Sequence, residues 1–293
     1  VNYNNGAALV NVTVDVQGTG AGPAILSVSE SDPYNFGNVA IGNTATHIFT
    51  ISNSGGVQST GMNEVGLIAP YTFTGGAYPG TGGDCTTVLN SGSNCTIEVL
   101  FTPSITGAAN DTISISYNDG VAAQNADRDI TGTGQNPASL TIAGADPYSY
   151  GTVTVGNIAN NTFTITNGGG VQATGLADGA GLALPFRYVG GTYPDGGTCG
   201  ATLNAAASCT VIVEFVPSGS GLVSDTLILD YNDEVAAQQV TVDVQGTGNT
   251  AAVITISESD PYDYGTQAIT SDTGYTFTLT NTGETQATGI SEI

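Results

Sequence analysis

The chain has 293 residues, room for two or three domains, and carries 25 acidic residues against 2 basic ones, with no lysine and no tryptophan. A net charge of −23 leaves nothing to neutralise phosphates, which excludes nucleic acid as a partner and keeps the chain off an anionic membrane surface. Yet 40% of residues are hydrophobic and only 9% charged, unlike a disordered acidic tail, and no apolar run approaches the roughly 18 residues of a membrane span. The many glycines stand between β-branched runs, as in an all-β protein with frequent turns.

Taken in order, Val1-Asn-Tyr3-Asn-Asn-Gly6 through Val14 and Val16 to Gly20 match Ile115-Ser-Tyr117-Asn-Asp-Gly120 and the strand after it. Residues 1–22 therefore read as the closing strands of a preceding unit. Val1 opens no basic, apolar-cored leader, so any secretion signal is expected outside the chain. Gly18-x-Gly20-x-Gly22 has the glycine spacing of a phosphate loop, but no helical pattern comes after it, and it reads as a domain junction.

A full unit is expected over residues 23–136. Ala24–Val28 opens it, and Pro33, with no amide donor and a fixed φ, ends that strand. Phe36–Ile41 and Thr46–Asn53 come next, the latter with Phe49 and Ile51 inward, and Gly55-Gly56 closes it. A weaker stretch, Ser59–Leu67, leads to Tyr71–Thr74. Then comes an expected hairpin, Cys85–Leu89 to Cys95–Thr102, turning through Asn90-Ser-Gly-Ser-Asn94. In its second arm Cys95, Ile97, Val99 and Phe101 alternate with Thr96, Glu98, Leu100 and Thr102, a period of two that buries one face of a strand. In the copy, Cys209, Val211, Val213 and Phe215 stay apolar while the outward set changes freely, Glu98 to Ile212 and Leu100 to Glu214. Asp111–Tyr117 has Ile113, Ile115 and Tyr117 inward, and Ala126–Thr131 runs into Gly132-Thr-Gly134. There Ala126, Arg128 and Ile130 replace the valine faces Val12, Val14, Val16 and Val240, Val242, Val244. Arg128 reads as an edge position whose stem packs while its head reaches water or an aspartate.

Asp32-Pro-Tyr-Asn-Phe-Gly37 returns at Asp146 and Asp260, steps of 146 − 32 = 114 and 260 − 146 = 114 residues. Cys85 and Cys95 recur at Cys199 and Cys209 by the same step, as does Gly-Thr-Gly. Such self-similarity outranks other signals, and a copy of this length can hold its own core. The division expected is a fragment over 1–22, units over 23–136 and 137–250, and the first part of another unit over 251–293. The two end segments lack counterparts of 66–114, so the chain reads as a window on a longer repetitive polypeptide. Many short strands and no helical period predict an all-β fold of tandem immunoglobulin-like β-sandwich repeats. Linkers as short as Gln135-Asn136-Pro137 predict an extended rod.

Phe36-Gly37-Asn-Val39-Ala-Ile41-Gly42, Phe49-Thr-Ile-Ser-Asn53, the Cys-x9-Cys pair, Phe101-Thr-Pro103 and the closing Gly-Thr-Gly together resemble the Hydin-type, major-sperm-protein-like immunoglobulin repeats of bacterial choice-of-anchor D surface proteins. The resemblance spans nearly the whole chain. It implies a β-sandwich, an exported location and a stalk-like or adhesive role, with no catalytic residues to carry over. The missing lysines and the long Gly-rich loop from Gly75 to Asp84 depart from that pattern.

The cysteines carry the clearest chemistry. Each pair, Cys85 with Cys95 and Cys199 with Cys209, flanks one expected hairpin and can meet across it as a disulfide, which belongs to an oxidising, extracellular or cell-surface compartment. A zinc site would need Cys-x2-Cys spacing and a histidine partner. Glu30, Asp32, Asp146, Glu258 and Asp260 near the junctions, with Asp119 and Asp233 before the last strand, offer the hard oxygens that calcium takes; Asp-Pro and Asn-Asp-Gly are equally ordinary turn makers. No other cofactor is expected. His47, the single histidine, has Asn161 and Tyr275 as counterparts and reads as a strand-end polar residue without the partner a catalytic base needs. Tyr34, Tyr148, Tyr262, Tyr117 and Tyr231 read as core phenols. Tyr78-Pro79 and Tyr193-Pro194, in Gly-rich loops, are expected to be exposed contact points.

The chain thus reads as a non-catalytic structural segment of a large exported repeat protein, a stalk, fibre or filament. Its expected partners are neighbouring repeats of the same polypeptide, with self-assembly into fibres through edge strands as a variant. The alternative is an adhesin module whose Gly-rich loops recognise a surface glycan or protein.

Overall fold

In the computed structural model, which describes residues 1–64 and 66–291, the two-residue alternation becomes strands with one buried face. In chain order they are β1 (Asn2–Asn4), β2 (Leu9–Asn11), β3 (Leu26–Val28), β4 (Tyr34–Ala40), β5 (Ala45–Asn53), β6 (Ser59–Glu64), β7 (Tyr71–Phe73), β8 (Val88–Leu89), β9 (Asn94–Phe101), β10 (Gly107–Asn118) and β11 (Ala123–Gln135). Then come β12 (Leu140–Ile142), β13 (Tyr148–Thr154), β14 (Ala159–Asn167), β15 (Ala173–Asp178), β16 (Phe186–Tyr188), β17 (Thr202–Leu203), β18 (Ser208–Phe215), β19 (Gly221–Asn232), β20 (Ala237–Asn249), β21 (Ile254–Ile256) and β22 (Leu279–Asn281). A 3-10 turn at Thr74–Gly76 is the one helical segment among the described residues.

The chain divides into two compact units, the first ending at Gly134 and the second beginning at Gln135. In the first, a four-stranded sheet ordered β3-β5-β9-β7 packs on a five-stranded sheet ordered β4-β11-β10-β6-β8. One core joins them: Phe49, Ile51, Ile97, Val99 and Phe101 from the smaller sheet, and Met62, Ile113, Ile115, Ala126 and Ile130 from the larger. The second unit repeats the arrangement as β12-β14-β18-β16 and β13-β20-β19-β15-β17, and it buries Phe163, Ile165, Val211, Val213, Phe215, Leu227, Leu229, Val242 and Val244. Within their units, β1 pairs with β2 and β21 with β22, each a two-stranded ribbon with exposed faces.

Two expectations are corrected. The stretch after Cys85 is not the first arm of a hairpin with β9. Val88 and Leu89 instead pair with Thr60 and Ser59 of β6, while β9 pairs with β5 and β7, so the chain crosses from one sheet to the other between them. The strand bearing Arg128 is likewise no edge: β4 lies on one side of β11 and β10 on the other. Arg128 stands opposite the buried Ile113, and its guanidinium escapes the core by donating to the Val28 carbonyl (2.6 Å) and approaching Asp32 (3.7 Å).

Two features of the recurring motifs have plain physical causes. A Cβ on Gly132 would meet the Phe101 ring at 2.6 Å, and one on Gly134 would meet the Ile105 carbonyl oxygen at 2.2 Å. Gly246 faces Phe215 at the same 2.6 Å, so the closing Gly-Thr-Gly lets the last strand press directly on a fully buried core ring. The second feature lies at the residue before the Asp-Pro turn, where φ is positive: 79° at Glu30, 131° at Gly144 and 77° at Glu258. Glycine adopts this region freely. Where glutamate stands there instead, its carboxylate has a side-chain partner, His47 on β5 for Glu30 and the Tyr275 hydroxyl for Glu258.

Candidate functional site

Cys85 ends a loop that lies along β9. The Asp84 and Cys85 amides both donate to the Thr96 carbonyl (3.0 and 3.1 Å), and the Thr96 amide and hydroxyl donate back to Asp84 Oδ1. Those bonds hold the Asp84 carboxyl below the usual aspartate range. The backbone pairing brings the Cα atoms of Cys85 and Cys95 to 4.9 Å, and those of Cys199 and Cys209 to 4.8 Å, and both pairs are disulfides. Each closes a loop of sequence separation 10 and ties the connection between the sheets to the central strand of the smaller sheet. Replacing Cys85 and Cys95 together by serine is expected to destabilise the first unit by about 2.5–3 kcal/mol on the chain-entropy account. Urea unfolding of the variant, and of the parent with and without reductant, measures this; an unmoved midpoint would contradict it.

The exposed-aromatic expectation for the Gly-rich loops is corrected. Pro79 accepts a bond from the Glu98 amide (2.9 Å), Gly80 is buried, and the loop lies on β9. Tyr78 is half-buried against the core, its ring edge-on to Phe73 at 5.7 Å, and burial pushes its phenol up to about 12. Tyr193 packs edge-on to Tyr188 at 5.7 Å, and burial, with the Asp178 charge adding to it, pushes its phenol up to about 12. Pro194 is also half-buried. Glycine in this loop permits close approach to β9: a Cβ on Gly83 would meet the Thr96 carbonyl oxygen at 2.8 Å.

The acidic residues named as calcium ligands are spread over separate contacts. Asp119 Oδ1 accepts from the Val121 and Ala122 amides (2.7 Å each), and Asp233 Oδ1 from Val235 and Ala236 (2.9 and 2.7 Å), so both shape turns. Asp32 and Asp146 accept from the Asp129 and Asp243 amides. Glu30 lies 3.5 Å from His47, and Glu258 accepts from Tyr275. Asp260 lies in the exposed segment before Pro261. Among the described residues no three His, Cys, Asp or Glu side chains gather into a metal-binding group. His47 itself stacks on Tyr34 at 4.1 Å. Tyr117 and Tyr231 are buried, and their hydroxyls accept from the Leu26 and Leu140 amides (3.3 and 3.4 Å).

The Ala122 and Val121 amides hold the Asp119 carboxyl below its ordinary 3.8. At Asp233 burial pushes the carboxyl up, but the Ala236 and Val235 amides and the Gln238 amide outweigh it and the net displacement is down. A carboxyl depressed in the folded state contributes stability above its unfolded pKa and loses it as pH falls through the depressed value. Thermal unfolding followed from pH 6 downward should therefore show a loss below about pH 4 that is smaller in D119N and D233N; equal acid sensitivity in parent and variants would refute this assignment.

With this geometry in place, residues 24–133 match the HYDIN/CFA65/VesB-like, Ig-like domain family. The chain is similar, at 11% identity and a TM-score of 0.30, to a protein of unknown function from Porphyromonas gingivalis, over 76% of this chain and 99% of that one. It is similar to the Vibrio cholerae VesB protease at 14% identity and a TM-score of 0.29, over 38% of this chain and 32% of that one. A three-domain Ig structure from titin is similar at 11% identity and a TM-score of 0.34, over 79% of this chain and 68% of that one. No curated protein matches the chain. The two disulfides are compatible with export, and no helix is long and apolar enough to cross a membrane.

The second Ig-like unit brings together residues that sequence reasoning did not single out. Arg187 on β16 stands opposite Glu214 on β18, its Nε 2.5 Å from Oε1, and Glu214 is buried. The next residue, Tyr188, donates its hydroxyl to Asp178 Oδ1 (2.9 Å) at the end of β15. Burial, and after it this bond, push the Tyr188 phenol far above its usual range. A signal for the pair was present: Leu100 becomes Glu214 while Thr72, opposite Leu100, becomes Arg187. Reading it as a pair requires the strand register.

Proposed function

We propose that the chain is a non-catalytic structural segment of an exported repeat protein, serving as an extracellular stalk or fibre. The observation that carries this reading is that each unit encloses its own core and secures it with its own disulfide. Units of that kind, joined by a linker as short as Gln135-Asn136-Pro137, suit a chain that spans distance outside the cell. The strong negative charge favours solubility and spacing between copies. The inward packing of Tyr78 and Tyr193 argues against the loops acting as exposed aromatic anchors. Small-angle scattering of the purified chain tests the reading. A radius of gyration well above the ~19 Å of one compact globule of this length is expected, with two beads visible by electron microscopy; a value near ~19 Å overturns the rod.

A further inference from the structure

The two units differ in chemistry at one spot that stability does not explain. In the first, Thr72 stands opposite Leu100, Phe73 is next in the chain, and Glu64 ends β6. In the second, Arg187 stands opposite Glu214, Tyr188 is next, and Asp178 ends β15. Glu214 keeps only 7% of its surface exposed. A buried ion pair adds little stability, and often none, beyond what an apolar pair of similar volume supplies. The Thr72 and Leu100 pair shows that the fold closes without those charges.

Arg187 commits only Nε to Glu214; its side chain stays 46% exposed, and among the described residues its two terminal nitrogens have no partner. Arg187 lines an open cleft of about 220 Å³ together with Tyr188, Tyr193, Gly191 and Thr192. Asp178 lines the same cleft, with Oδ1 held by the Tyr188 hydroxyl and Oδ2 accepting no hydrogen bond among the described residues. A forked donor held in place from behind and a carboxylate acceptor in one small cleft match the neighbouring hydroxyls along the edge of a single sugar ring. The Asp178 charge and the net −23 of the chain disfavour an acidic ligand.

We propose that the cleft formed by Asp178, Arg187, Tyr188 and Tyr193 in the second unit binds a neutral saccharide, a recognition function beyond, and independent of, the stalk reading. The test is an array of immobilised mannose-, glucose-, galactose- and N-acetylglucosamine-terminated oligosaccharides, with sialylated and uronate-bearing ones alongside, probed with the intact chain. Saturable binding to at least one neutral probe is expected. R187T combined with E214L copies the first unit's pair; it should retain the parent's strand signature by circular dichroism and lose that binding. D178N, which keeps the side chain's shape, should weaken binding about tenfold or more, the worth of one charge-assisted hydrogen bond, and decides the matter should the double variant not fold. Absence of saturable binding to every neutral probe, binding to acidic probes alone, or binding unaltered by D178N would each overturn the proposal.

Discussion

Phe215→Ala is expected to destabilise the second unit by about 3–5 kcal/mol, the range for deleting a fully buried aromatic ring. Phe215 has no exposed surface, stacks on Phe186 at 4.9 Å between ring centroids, and meets Tyr150 at 5.7 Å. Gly246 also lies against the ring, where an added Cβ would sit 2.6 Å from it. That contact gives the experiment a sharper form. Gly246→Ala alone should cost about 1–3 kcal/mol by overpacking. In the Phe215→Ala background the same methyl enters the cavity and should be neutral or restoring. Denaturant unfolding of the four proteins in the cycle measures the coupling, and simple additivity would show that glycine and ring do not depend on each other.

Asn167→Ala is the second large effect. The Asn167 side chain is wholly buried, accepts from the Ser139 and Gly169 amides (3.1 and 2.9 Å), and donates to the Val171 and Leu203 carbonyls (2.9 and 3.1 Å). It thus joins the ends of strands from both sheets through one amide group. Alanine leaves backbone groups without partners in a dry interior, at a cost of roughly 3 kcal/mol or more. Asn53 repeats the arrangement with Ile25, Gly55, Val57 and Leu89, so Asn53→Ala should cost the first unit a similar amount. Asn167→Asp keeps the two accepted bonds and loses the two donated ones, and should fall below the alanine variant in stability because it buries a charge. Urea midpoints rank the variants; alanine and parent unfolding together would remove this role.

How much was legible depends on the range over which each signal acts. The alternation in Cys95–Phe101 is local, and its buried face is the observed one. The closing Gly-Thr-Gly was visible as a motif, but the ring it accommodates lies some thirty residues earlier in the chain and only the fold brings them together. Val88 and Leu89 looked like a hairpin arm because the nearest alternating segment is β9, whereas their partners in β6 lie almost thirty residues back. Arg128 looked like an edge residue because β4, the strand beside β11, comes from far upstream. The Gly-rich loops read as exposed on composition, yet the same glycines let the backbone lie on β9 in one unit and β18 in the other and carry Tyr78 and Tyr193 inward. The Asp178, Arg187 and Glu214 group was missed because it spans three strands, and because the alternation put Glu214 in the outward set whereas it is buried.

The two arginines have one more consequence. They are the only positions in the chain after which trypsin can cut, and each lies inside a hydrogen-bonded strand, Arg128 on β11 in the first unit and Arg187 on β16 in the second. A protease needs an extended, unpaired segment, so neither bond is open to it until the surrounding ladder separates. Each unit therefore carries a single cleavable bond that reports its own opening, and the sizes of the tryptic fragments tell which unit gave way first.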